Sequence, residues 1–134
     1  MEQKQQEKIH SSSGKTAVVV VIAVTVALLH LVDLSSYRGP YHTLVTGYLM
    51  DVLIPFSFYM LLSQRDYPVV RLWIVRAALV FGAASGVEVA QYFGKHILGS
   101  TYDPMDFVAY GIGVALAVIC DRIVFPRVFG FWTK

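Results

Sequence analysis

In the stretch EVAQYFGKHILGSTYDPMD, residues 88 to 106, Glu88, Gln91, Asp103 and Asp106 gather inside an otherwise apolar neighbourhood. Carboxylates so placed can work as acid and base, hold a cation, or hydrogen-bond a polar headgroup. Asp51 lies in another apolar stretch and joins them as a membrane-depth carboxylate. The chain carries no recognisable pairing of a nucleophile with a base, and no phosphate loop or dinucleotide fingerprint. The nearest approach, AYGIGVA at 109 to 115, sets its glycines in an apolar run with no strand before it. No spacing resembles a dedicated metal loop, so neither a metal nor a cofactor is expected. His30, three residues before Asp33, and His96 read as hydrogen-bonded histidines rather than metal ligands.

Composition places these groups in a membrane protein. Of 134 residues, 56% are hydrophobic and 15% charged, with mean hydropathy +0.58, outside the usual soluble range. Cys120 is the single cysteine and sits in an apolar run, which rules out an internal disulfide. Residues 1–15 are polar and aperiodic and read as a flexible tail. Four apolar segments follow, at about 16–33, 44–63, 69–93 and 104–124, each near the length that crosses a hydrocarbon core. Irregular backbone cannot face lipid, so an all-α bundle of four transmembrane helices spanning 16–126 is expected, with 127–134 as a short interfacial tail. The first segment is long for a cleaved signal peptide and lacks a small-residue site at its end; a retained anchor fits better.

Lys and Arg orient the bundle. With the amino terminus in the cytoplasm, Lys4, Lys8, Lys15, Arg65, Arg71, Arg76, Arg122, Arg127 and Lys134 fall inside, and Arg38 and Lys95 outside. Both termini are therefore expected in the cytoplasm. Tyr37, Tyr41, Tyr48, Tyr92 and Tyr102 then gather at the outer boundary, and Tyr67, Trp73, Phe129 and Trp132 at the inner one, as two aromatic belts. Phe125, Phe129 and Trp132, with Arg127 and Lys134, are expected to lie on the inner membrane surface.

In this topology the membrane-depth carboxylates collect at the outer ends of the helices. Asp103-Pro104-Met105-Asp106 is also a helix start, with Asp103 as N-cap, Pro104 at the first position and Asp106 at the third. Asp106 leads into a face carrying Tyr110, Gly113 and Ala117, whose small members let a neighbouring helix approach. Glu88 has no capping role: it lies near a helix C-terminus, where negative charge is disfavoured, and needs a specific donor. Ser85 and Gln91, a turn either side, can line the same groove. Gly82 and Gly86 form a small-xxx-small stretch expected to be the seam for the fourth helix. Asp33, at the end of the first helix, invites Arg38 as its cation.

Glu88-x2-Gln91, a short loop, Asp103-x2-Asp106 and then Gly113 resemble the VanZ-like membrane proteins, and Asp51, Phe56 and Tyr59 are similar to a motif on that family's earlier helix. The resemblance runs from about residue 45 to 120; Val52, Pro55, Ser100 and Tyr110 stand where the family pattern has Lys, His, Arg and Asn. It implies a bacterial cytoplasmic membrane, a site facing the cell wall, and a link to envelope function or glycopeptide tolerance. Three functions follow as expectations. The first is a non-enzymatic outer groove of Glu88, Gln91, Asp106, Asp51, Asp103 and Tyr110 that binds a lipid headgroup, wall precursor or lipophilic glycopeptide. The second is a small membrane enzyme or ion-coupled transporter using the carboxylates. The third is an assembly partner, including a homo-oligomer, whose polar groups pair across helices. Nucleic-acid binding is disfavoured, since the net charge of +2 is accounted for by membrane flanks.

Overall fold

The computed structural model describes residues 2–95 and 102–132. His96, Ser100 and Lys134, with the side chains of Lys4 and Lys8, lie outside that description. The described chain is helical throughout its elements: α1 (Glu2–His30), α2 (Leu49–Leu62), α3 (Trp73–Tyr92), α4 (Pro104–Ile119) and α5 (Phe125–Val128). A π turn over Leu44–Tyr48 leads into α2, and another over Cys120–Val124 joins α4 to α5. Four helical stretches are long and apolar enough to cross a membrane: Ser12–His30, Leu44–Leu62, Trp73–Tyr92 and Pro104–Val128. The first begins earlier than the composition predicts, because α1 runs unbroken from Glu2 through the polar segment read as a flexible tail.

The helix ends follow from local chemistry. Asp103 caps α4, its Oδ1 accepting the Met105 N–H at 2.9 Å, with Pro104 at the first position, where no N–H is needed. At the end of α3, Gly94 adopts φ +75°. Its N–H donates to the Gln91 carbonyl at 2.8 Å, and the Lys95 N–H donates to the Ala90 carbonyl at 2.9 Å. That is a Schellman closure, and it needs the glycine. Asp33 starts a short 3-10 turn, Leu34–Ser36, by accepting from the backbone N–H of Ser35 at 3.0 Å and its hydroxyl at 2.5 Å. Those bonds hold its carboxyl below the usual carboxylate range, and Ser35 takes the place predicted for Arg38. The contribution of these bonds is present above pH 3.8 and fades as pH falls below it.

Alternating helix directions put two polar clusters at opposite ends of the bundle. α2 is the central helix, packing on α1, α3 and α4. α1 rests on it by a narrow stripe, Val19 and Val26, seven residues apart and therefore on one face. The buried hydrophobic cluster of Val19, Tyr59, Met60, Val80, Val114, Ala117 and Trp132 lies toward the end where α1 begins and α4 finishes. Toward the other end, Gly113 lets α4 meet the α2 backbone: a Cβ there would overlap the carbonyl oxygen of Val52.

The predicted seam at Gly82 and Gly86 is absent. Both are exposed, and a Cβ at either would meet nothing within 4 Å. Arg76, Val80 and Glu88 are the buried residues of α3. Gly82 and Gly86 each lie two positions from one of these, about 200° around the helix, and so face outward. Charged groups set which face of α3 turns inward. Replacing Gly113 by Ala should therefore lower stability by about 1–3 kcal/mol through overpacking. Gly82→Ala and Gly86→Ala should be neutral or stabilising by up to about 1 kcal/mol, as helix propensity dictates. Denaturant titration of helicity in detergent micelles checks the contrast.

Candidate functional site

Glu88, Asp103, Asp106, Tyr110 and Asp51 come together where α3 ends and α4 begins. Glu88 is 1% exposed. Its Oε1 accepts the Asp103 backbone N–H at 2.6 Å, and its Oε2 accepts the Tyr110 hydroxyl at 3.4 Å. The carboxylate at a helix C-terminus thus finds its donors on the neighbouring helix start, where amide N–H groups are unpaired within the helix. Asp103 turns its second oxygen, Oδ2, to the Tyr48 hydroxyl at 3.0 Å, which ties the entry to α2 into the cluster. Tyr48 is half-buried against Asp103, whereas Tyr41 and Tyr92 are exposed.

Asp106, half-buried, lies within hydrogen-bonding reach of Glu88, and Asp51 interacts electrostatically with Glu88 and Asp103. Pro55 adds to the acceptors, since it has no N–H to donate to the Asp51 carbonyl one turn back. Gln91 is half-buried on the next turn and is itself engaged. The buried hydroxyl of Ser85 has no hydrogen-bond partner among the described residues. No group of three or more His, Cys, Asp or Glu side chains among them is arranged to hold a metal ion.

A second cluster, at the opposite end, departs from the predicted division of charge by face. Asp121 is 8% exposed, and its Oδ2 accepts from Arg76 Nη2 at 3.1 Å and from the Tyr59 hydroxyl at 3.4 Å. Arg76, also 8% exposed, stacks over the Tyr59 ring at 5.0 Å and is no solvent-facing flank. The Trp132 indole N–H donates to both the Asp121 carbonyl and its Oδ1, each at 3.0 Å. These bonds bury Trp132 inside the bundle, while Phe125 and Phe129, expected with it on the inner membrane surface, are half-buried. The chain after α5 folds back, burying Trp132 to 5% exposure against Phe125, with ring centroids 4.6 Å apart. A tryptophan N–H with a carboxylate in reach is satisfied inside the bundle. Two signals could have shown this: an Asp-Arg pair inside an apolar run, and Arg76 three residues into a span beside no other charge.

No protein-family model, curated protein or solved structure matches the chain.

Breaking the Arg76–Asp121 pair leaves an uncompensated buried charge. Arg76→Ala or Asp121→Asn should lower stability by about 3–5 kcal/mol. The double change Arg76→Met with Asp121→Leu should recover most of that loss, and thermal unfolding in micelles reads both.

Proposed function

We propose that this chain is a multi-pass protein of a bacterial cytoplasmic membrane, similar to the VanZ-like proteins, whose carboxylate cluster faces outward. There it binds the ammonium-bearing part of an amphipathic envelope ligand: a lipid headgroup, a wall precursor or a lipophilic glycopeptide. One observation carries the reading. Glu88 is almost fully buried among Asp51, Asp103 and Asp106, yet among the described residues the ion pairs lie at the other end of the bundle. A cluster rich in carboxyls and hydroxyls, with a cation missing from it, has the chemistry to recognise an amine. The bias of nine Lys and Arg against two supports the outward orientation. The E-x2-Q and D-x2-D resemblance supports the bacterial envelope as the setting.

Orientation is tested by labelling intact cells with a membrane-impermeant maleimide, after Cys120→Ser removes the native thiol. Ser36→Cys should label and Asp66→Cys should not; the reverse pattern turns the cluster to the cytoplasm. Ligand recognition is tested by glycopeptide and lipoglycopeptide susceptibility of a sensitive bacterium making wild type, Glu88→Gln or Asp106→Asn at equal membrane levels. The amides preserve size and most hydrogen bonds, so unfolding should change little while protection by wild type is lost. Protection retained by both amides would reduce the cluster to structural glue. Equal susceptibility in every strain removes the antibiotic from the set of ligands.

A further inference from the structure

Beside the buried Arg76–Asp121 pair, at the end of the bundle opposite the carboxylates, a cavity of about 230 Å³ opens between Lys15, Asp121, Arg122, Pro126 and Trp132. That is room for several waters, at about 30 Å³ each, or for one tetrahedral anion. Asp121 is the acid in the wall, and its oxygens are already engaged: Oδ1 by Trp132, Oδ2 by Arg76 and Tyr59. Lys15 stands 3.9 Å from Asp121 Oδ1, beyond hydrogen-bond length, and 4.9 Å from the centre of the Trp132 ring. Lys15 keeps this long ion pair, and no acceptor stands closer to its ammonium among the described residues. Asp66 acts on Lys15 more weakly than Asp121 does. Arg122 rests over the Trp73 ring at 5.7 Å and forms no ion pair among the described residues. Lys15 and Arg76 thus flank one fully bonded carboxylate, Arg122 lines the same cavity with its guanidinium over Trp73, and Asp66 lies farther out.

The backbone explains why these groups share a wall. Pro126 lacks the N–H that would bond the Arg122 carbonyl, and the helix widens ahead of it into the π turn over Cys120–Val124, closed by the Phe125 N–H on the Cys120 carbonyl. The turn buries Asp121 and leaves Arg122 exposed. The geometry points to a phosphate-binding site here: Lys15 and Arg122 grip a phosphate monoester or diester from two sides, over the indole of Trp132. The phosphate comes from an anionic lipid headgroup or from a soluble phosphate.

The test uses the full chain in uncharged maltoside micelles at low salt, carrying Trp73→Phe so that tryptophan emission reports on Trp132. Dioctanoyl phosphatidic acid should give a saturable emission change, and the uncharged dioctanoylglycerol none. Lys15→Gln and Arg122→Gln should each weaken binding about tenfold, as the loss of a charge-assisted contact predicts, and Lys15→Arg should restore it. Thermal unfolding without lipid identifies any variant that fails to fold; Lys15→Arg and Arg122→Lys then serve in its place, with a smaller weakening expected at Arg122. Binding of glycerol phosphate and inorganic phosphate as well would identify a soluble phosphate as the ligand, and a response to the lipid alone would identify a headgroup. Equal responses to both lipids, no response to any phosphate, or affinity unaltered in every variant would overturn the site.

Discussion

A charged side chain in an apolar helix bundle must find a partner, and that requirement organises this chain more than any hydrophobic contact does. Glu88 and Asp121 are both nearly inaccessible, one toward each end, and they meet the requirement differently. Asp121 has a full cation, two aromatic donors and a lysine at longer range. Glu88 has an amide, a tyrosine hydroxyl and a neighbouring carboxyl. The first arrangement neutralises its charge within the protein; the second leaves acidic character at one end of an apolar bundle. That difference is why the Asp121 cluster reads as a structural clamp and the Glu88 cluster as a place for something else.

The faces of the helices follow from these two residues. Burying Arg76 and Glu88 commits one side of α3 to the interior and forces Gly82 and Gly86 outward, against the expectation drawn from their small size. Small residues permit close approach but do not compel it. On α4 the same permissive chemistry is used, because Ala117 lies in the buried stripe and Gly113 meets the Val52 carbonyl. Prolines then modify the backbone beside both clusters. Pro55 frees an acceptor at Asp51, and Pro126 accompanies the π turn that carries Asp121 and Arg122.

The fold-back of the chain after α5 connects the Asp121 clamp to α1. Trp132 reaches Asp121 on one side and lies under Lys15 on the other, while the Phe131 ring stands where a Cβ on Gly14 would touch it at 3.0 Å. A segment read from its aromatic and basic composition as lying on the inner membrane surface packs its Trp132 into the end of the bundle. Amphipathic composition states that a segment seeks an interface; it does not distinguish a lipid interface from a protein one.

By itself the sequence determined the number of long helices, most of their limits, the Asp103 cap and the company kept by Glu88, Asp103 and Asp106. Those properties depend on hydrophobic run length, on the side-chain chemistry of helix ends, and on residues close together along the chain. Tertiary structure decided which glycines pack, where Trp132 points, and that Asp121 joins Arg76 and Tyr59, 45 and 62 residues away. An apolar run with one aspartate in it specifies that a partner is required. Only the packed helices specify which, because the partner is chosen by the rotation of each helix about its axis, and a mean hydropathy carries no information about rotation.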